Sequence, residues 1–286
     1  MIVLDAAAAV PDGDLRAQWL AACVSMAREP AEFYSGARKI HTGVTIQFGA
    51  LDQSLRIEDA GFTKIKLGML RRLYWDDEHA EAVAGLWRGR LERAKYGSVS
   101  ASTYHHLTKA DPEKRSKRAS VMGPCLLGVA ATLLSRDVVV VDAMYRTTEL
   151  FKKFPADLVF IRDTVLPAIG IDAGAIARLR CHFANVTSHP MYAVTWLALI
   201  DEPIDALEGV KTADRKFYDW CIKWTGRYIC PENHRGIAKF AQALRVKKDA
   251  LARITGDRLE ALQEYVRGNH PGYRNDYQED ENDDSE

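Results

Sequence analysis

Apolar and polar positions along this chain follow two rhythms. Leu126 to Leu134 and Val138 to Met144 are dense in Val, Leu and Ala and are separated only by the polar turn Ser135-Arg136-Asp137. Two strands joined this tightly must be antiparallel neighbours, so a hairpin is predicted. Gly43 to Gly49 alternates and is rich in β-branched residues, which predicts another strand, with a weaker one over Ser54 to Ile57 completing a second hairpin. Ile176 to Asn185 predicts a further strand. Three- and four-residue apolar spacing predicts helices instead. One is capped by Asp12-Gly13-Asp14, runs through Trp19, Leu20, Cys23 and Met26, and stops at Pro30. Others cover Lys64 to Tyr74, Asp76 to Tyr96, Ala156 to Leu166 behind Pro155, Val194 to Ile200, a segment around Phe217 to Tyr228, and Gly236 to Leu262. Strands interleaved with helices, without repeats or linkers, predict a single α/β (α+β) domain over residues 1–270.

Composition narrows the class. Hydrophobic residues make up 47% of the 286 positions, enough for a sizeable core. The formal charge is zero but unevenly placed: Gly272 to Glu286 holds seven acidic residues and one Arg, leaving a mildly basic body and an acidic end, residues 271–286, expected to be disordered. Such a body suits a small phosphorylated substrate at least as well as a nucleic acid, which composition does not exclude. Five cysteines, an odd number without a secretory leader, predict reduced thiols. With no apolar run of about 18 residues, the expected setting is the cytoplasm, away from membranes.

Chemistry concentrates between Gly123 and Tyr192. Cys125 opens the first strand of the hairpin and Arg146 follows the second, which brings them to the same end. A thiolate beside a guanidinium suits attack on an electron-poor carbon of an anionic substrate; a buried structural cysteine is the plainer reading. Asp157, in the first turn of its helix, is explained locally by capping. His189, beside Pro190, serves function or structure equally well on local grounds. Arg88, Arg90, Arg93 and Lys95 read as the wet side of a helix, and Lys114 to Arg118 as an exposed basic loop. Cys221, Cys230 and His234 lack the short spacing and the fourth ligand of a zinc site.

Taken together, Pro124-Cys125, two strands, Tyr145-Arg146-Thr147 with Glu149, Phe154-Pro155-Ala156-Asp157 and Ser188-His189 with Tyr192 resemble the core of the thymidylate synthase superfamily. That family carries a Pro-Cys nucleophile, an Arg-Ser-x-Asp segment, a Leu-Pro-Phe-Asn helix start and a later His-x-Tyr. The resemblance spans Val121 to Tyr192 and implies a mixed sheet covered by helices. It implies that Cys125 attacks C6 of a pyrimidine nucleoside monophosphate, activating C5 toward the methylene carbon of 5,10-methylenetetrahydrofolate. Arg146 and Thr147 would bind the phosphate, Glu149 the folate side, and His189 and Tyr192 the sugar. Lys117 and Arg118, or Lys114 and Arg115, would reach the phosphate in a homodimer. Asp157 falls where the family has the asparagine that reads uracil, and an aspartate there marks the cytidylate hydroxymethylases. A folate-dependent dCMP or CMP 5-hydroxymethyltransferase is therefore expected.

Three departures keep alternatives open. Leu126 replaces the histidine usual after the cysteine, and Tyr192 falls one place late. The family's early-helix glutamate has no counterpart in register, because Lys66 to Trp75 offers Arg71 or Arg72 there. The alternatives are a thymidylate or 5-hydroxymethyl-dUMP synthase, and a non-catalytic homologue that binds a nucleotide or nucleic acid.

Overall fold

The computed structural model describes residues 1–11, 14–49, 51–56, 77–93, 97–102, 125–135, 138–190, 192–193, 200–229 and 257–270. The expected helix over Lys64 to Tyr74, residues 194–199 of the one expected to end at Ile200, most of Gly236 to Leu262, and the acidic end lie outside them. The described chain forms two compact units, one from residues 1–22, 41–56 and 77–187, the other from residues 23–40 and 188–270.

The first unit is built on a mixed sheet. Its strands are β1 (Ile2–Asp5), β3 (Arg38–Phe48, which starts in the other unit), β4 (Gly97–Ser102), β5 (Leu126–Ser135), β6 (Val138–Glu149) and β7 (Ile176–Ser188), in the order β1-β3-β7-β6-β5-β4. β5 and β6 form the predicted antiparallel hairpin, while β6 and β7 run parallel, joined by a helical crossover. The predicted α/β class with a mixed sheet is thus the observed one. Alternation along β6 buries Val139, Val141, Ala143 and Tyr145 and leaves Val140, Asp142, Met144 and Arg146 more open.

Onto the buried face packs α3 (Phe154–Phe160), every residue of which is buried. Phe154 meets Tyr145, Phe183 and Phe48 at ring-centroid distances of 6.0, 5.1 and 5.8 Å, an aromatic knot whose loss at Phe154 would cost about 3–5 kcal/mol. The helical path continues through a π-helical turn, Ile161–Val165, into Leu166–Ala168. Pro167 has no N–H and its ring crowds the Asp163 carbonyl, and the widened turn relieves both. Gly170, at φ 78°, ends the path: its N–H reaches Pro167 O and that of Ile171 reaches Leu166 O, a Schellman stop open to a residue without Cβ. Besides the single turns Ala6–Ala9 and Ala173–Ala175, the other described helices of this unit are α1 (Leu15–Arg28, completed in the second unit) and α2 (Asp77–Glu92).

Two local expectations change. Asp14 does cap α1, accepting the Ala17 N–H at 2.8 Å, but Asp52 assists from far along the chain by accepting the Leu15 N–H at 3.0 Å. The segment holding Asp52 is therefore not the second strand of a hairpin. Residues 51–56 form a turn in which Asp52 also accepts the Ser54 N–H, and β3 pairs instead with β1, with β7 and, over its first residues, with the short strand Phe33–Ser35.

The second unit contains β2 (Phe33–Ser35), antiparallel to the first residues of β3, and helices α4 (Pro203–Ala213), α5 (Arg215–Ile229) and α6 (Asp257–Asn269). Its centre is an ion pair. Lys39, fully buried, donates to Ala27 O at 2.9 Å and to Asp214 at 3.0 Å, and lies over the Phe217 ring. Asp214, between α4 and α5, also accepts from the Tyr34 hydroxyl and from the Ala31 and Phe217 amides.

Candidate active site

The β5–β6 register sets the first relationship in the site. Leu126 pairs with Tyr145, an irregular step follows before Gly128 pairs with Met144, and beyond Leu126 the Arg146 N–H donates to the Cys125 carbonyl at 2.8 Å. The predicted meeting of these two residues is thus a backbone pairing. Cys125 is half-buried and its sulfur is a thiol, outside any disulfide. Arg146 is half-buried too, and its Nε, sealed from solvent, has no hydrogen-bond partner among the described residues. A buried donor in that state is costly, and a bound anion would relieve it.

Further along β6, Thr147 is half-buried opposite Asn185, and Thr148 is buried with its hydroxyl likewise unsatisfied among the described residues. Glu149 sits opposite Thr187, 9% exposed, and its Oε2 accepts the Lys152 N–H at 2.6 Å while its carbonyl accepts that of Lys153. Its carboxylate closes the turn that leads into α3.

Asp157 is not a cap. No side chain caps α3, and Asp157 is only 6% exposed in the fourth helical position. Burial pushes its carboxyl up to about 7, against a smaller opposing effect of Lys153. Helix-dipole stabilisation would have moved it the other way. Close by on the buried face, the Cys181 thiol is pushed well up, by burial first and then by the Asp157 and Asp142 carboxylates. A protonated Asp157 is a neutral group with one donor and one acceptor.

His189 and Tyr192 belong to the second unit. The Tyr192 and Ala193 N–H groups both reach the His189 carbonyl, at 2.9 and 3.0 Å, and the His189 ring lies 5.4 Å from Tyr192 and 6.1 Å from Trp224, centroid to centroid. Pro124, Lys114, Arg115, Lys117 and Arg118 lie outside the described residues, as do Cys230 and His234. Cys221 is buried and its thiol is raised by that burial. Among the described residues no cluster of three His, Cys, Asp or Glu could hold a metal, and no helix is long and apolar enough to cross a membrane.

One polar constellation was not anticipated. On the open sheet face Asp142 accepts from Arg180 at 2.6 Å and pairs with His182 Nε2 at 2.8 Å, while His182 Nδ1 lies 3.1 Å from Thr45 Oγ1. Burial alone would raise the Asp142 carboxyl, but the bonds from Arg180 and His182 hold it below its usual range. Three strands supply these residues, so their meeting depends on pairings remote in sequence. Compared with known proteins, the chain matches no family model and no curated sequence.

Proposed function

We propose that this chain transfers a one-carbon unit to C5 of dCMP or CMP, leaving a 5-hydroxymethyl group. The observation that carries this reading is the buried Asp157, whose carboxyl is pushed up to about 7. Neutral, it complements cytosine, donating to N3 and accepting from the 4-amino group. Ionised, it still accepts from that amino group but repels the O4 of uracil. Cys125 and Arg146 supply the other two elements: a half-exposed thiol, and a guanidinium whose buried Nε is a ready donor for the nucleotide phosphate.

In this mechanism the Cys125 thiolate forms a bond to C6 and the electron pair of the C5–C6 double bond moves to C5. Once C5 has gained its carbon and lost its proton, the carrier nitrogen would depart with the electron pair of its bond to that carbon. Water would add to the methylene so freed and supply the hydroxyl, and elimination of the thiolate would restore the double bond. Asp157 holds the base so that charge built up across the ring falls on a group able to donate a proton. The one-carbon unit itself would come from 5,10-methylenetetrahydrofolate. Glu149, which the resemblance assigns to the folate side, is turned into its own chain and fits that task poorly in this conformation.

The test is release of tritium from 5-tritiated dCMP and CMP, with dUMP as control. Release from the cytosine nucleotides, abolished by Cys125→Ala, is expected. Release from dUMP alone would sink the cytosine assignment, and nucleotide binding without any release would leave a non-catalytic binder.

A further inference from the structure

The outer face of α5 has a composition that the candidate active site does not use. Its buried side is Phe217, Tyr218, Cys221, Ile222 and Thr225, and its other side carries Lys216, Asp219, Trp220, Lys223 and Trp224. Two tryptophans one helical turn apart are thus left half-exposed beside lysines. Lys216 Nζ sits 4.5 Å from the Tyr34 ring centroid and 5.3 Å from that of Trp220, and the two rings meet edge-on at 5.2 Å. Trp224 extends the series to the His189 ring. The Tyr34 ring cannot drift, because its hydroxyl is held by Asp214, which is itself tied to the buried Lys39.

Charge favours an anionic partner. With Arg215 at its start, the strip carries three cations against one carboxylate, and that carboxylate, Asp219, is already paired with Arg215 at 2.9 Å. Ring faces interleaved with ammonium groups match a polymer that alternates flat bases with phosphates and whose bases are free to stack. A duplex hides its base faces. We propose that this strip, Tyr34-Lys216-Trp220 with Lys223 and Trp224, is a docking site for single-stranded nucleic acid. An incoming base stacks on Trp220, displaces the Lys216 ammonium from the rings, and leaves that ammonium to bind the adjoining phosphate. The Tyr34 ring is already anchored, so less ordering remains to oppose binding.

Anisotropy of a fluorescein-labelled 15-nucleotide single strand, titrated with the full chain, tests this. Micromolar binding is expected, weakening with salt at a log–log slope of about −1.4, as neutralisation of about two phosphates on a single strand by Lys216 and Lys223 requires. Trp220→Ala and Lys216→Glu should each weaken it about tenfold or more, and a duplex of the same sequence should bind at least tenfold less tightly. Lys216 is exposed, so its variant tests the site even if Trp220→Ala folds poorly. Absence of binding at 50 mM salt, equal binding of the duplex, or binding unchanged in Lys216→Glu would overturn the proposal. The same variant should release tritium from 5-tritiated dCMP at the normal rate, so this inference and the nucleotide reading fail separately.

Discussion

Arg146 donates its backbone N–H to the carbonyl of Cys125 at 2.8 Å, so the side chains proposed as phosphate clamp and nucleophile are held together by the main chain rather than by each other. The guanidinium can then be removed without disturbing the strand pair. Arg146→Ala is expected to weaken binding of dCMP or CMP about 10- to 100-fold, the usual worth of charge-assisted hydrogen bonds, with a melting temperature unchanged or slightly raised because an unsatisfied buried Nε is lost. Calorimetric titration beside a thermal melt checks this. Weakened binding with a large drop in melting temperature would mean that the side chain is structural.

Asp157 makes stability depend on pH in a specified direction. Its folded value of about 7 lies above the unfolded carboxylate's, so between the two the native state holds the extra proton. Stability should be greatest near pH 4, fall as pH rises toward 7, and level off beyond. Raising a carboxyl from its ordinary value to about 7 corresponds to about 4 kcal/mol, an upper figure for one fully buried group. Asp157→Asn should remove this component and be more stable than the parent at pH 8. Urea denaturation of both at pH 5, 6, 7 and 8 isolates the difference, and parallel pH curves would refute it.

The same substitution addresses the substrate. An amide at position 157 donates and accepts without a proton to lose, so it complements the O4 and N3–H of uracil. Asp157→Asn is expected to shift the ratio of C5 tritium release on dUMP over dCMP by at least about 100-fold, in line with discrimination by polar groups in a buried site. An unchanged ratio would remove Asp157 from base recognition.

Parts of this arrangement were readable from local sequence, and their common property is that their partners lie close along the chain. The β5–β6 hairpin followed from two apolar runs and a three-residue turn, and with it the approach of Cys125 to Arg146. Pro155 announced α3, and Asp14 announced α1. The misses are non-local. β1 is four residues whose parallel partner begins at Val44, and β4 is Gly-Ser-Val-Ser-Ala-Ser, whose alternation rests on one valine and one alanine, too little apolar surface to mark a strand by itself. The Asp142-Arg180-His182 cluster exists because β6 and β7 pair in parallel with Asp142 level with Arg180, a register no short window contains. Asp157 was legible as a helix-start residue, but not as a buried acid, since its burial comes from the sheet that α3 covers.

Lys39 and Asp214 should behave as a couple. Burial lowers the Lys39 ammonium, opposed by Asp214, while Asp214, raised by burial, is brought below its usual range by Tyr34, the Phe217 amide and Lys39. Removing one partner leaves an uncompensated buried charge, so Lys39→Met or Asp214→Leu alone is expected to cost about 3–5 kcal/mol, and the pair together less than the sum. A double-mutant cycle by urea denaturation measures the coupling. Because the Asp214 value is depressed, the stability it contributes is present above the unfolded carboxylate value and is lost as pH falls through the folded one. Additive effects across the cycle would rule out the couple.

Arg162 is expected to be the least replaceable charged residue of the first unit. Only 3% exposed, it donates through Nη1 to the Asp52 carbonyl at 2.6 Å and the Leu55 carbonyl at 2.8 Å, while Nε and Nη2 engage Asp163 at 2.6 and 2.9 Å. The guanidinium fork thus ties the π-helical turn to the segment whose Asp52 side chain caps α1. A lysine has one point of charge and cannot serve two carbonyls and a carboxylate in fixed directions. Arg162→Lys should therefore lose nearly as much as Arg162→Met, about 2–4 kcal/mol, because both leave buried carbonyls unpaired. Hydrogen exchange should report the loss first at the Leu15 and Ser54 amides, which depend on Asp52, before the strands of the sheet are affected. Full rescue by lysine, or loss of protection across β6 and β7 at the same rate, would show that the fork is not what holds this segment.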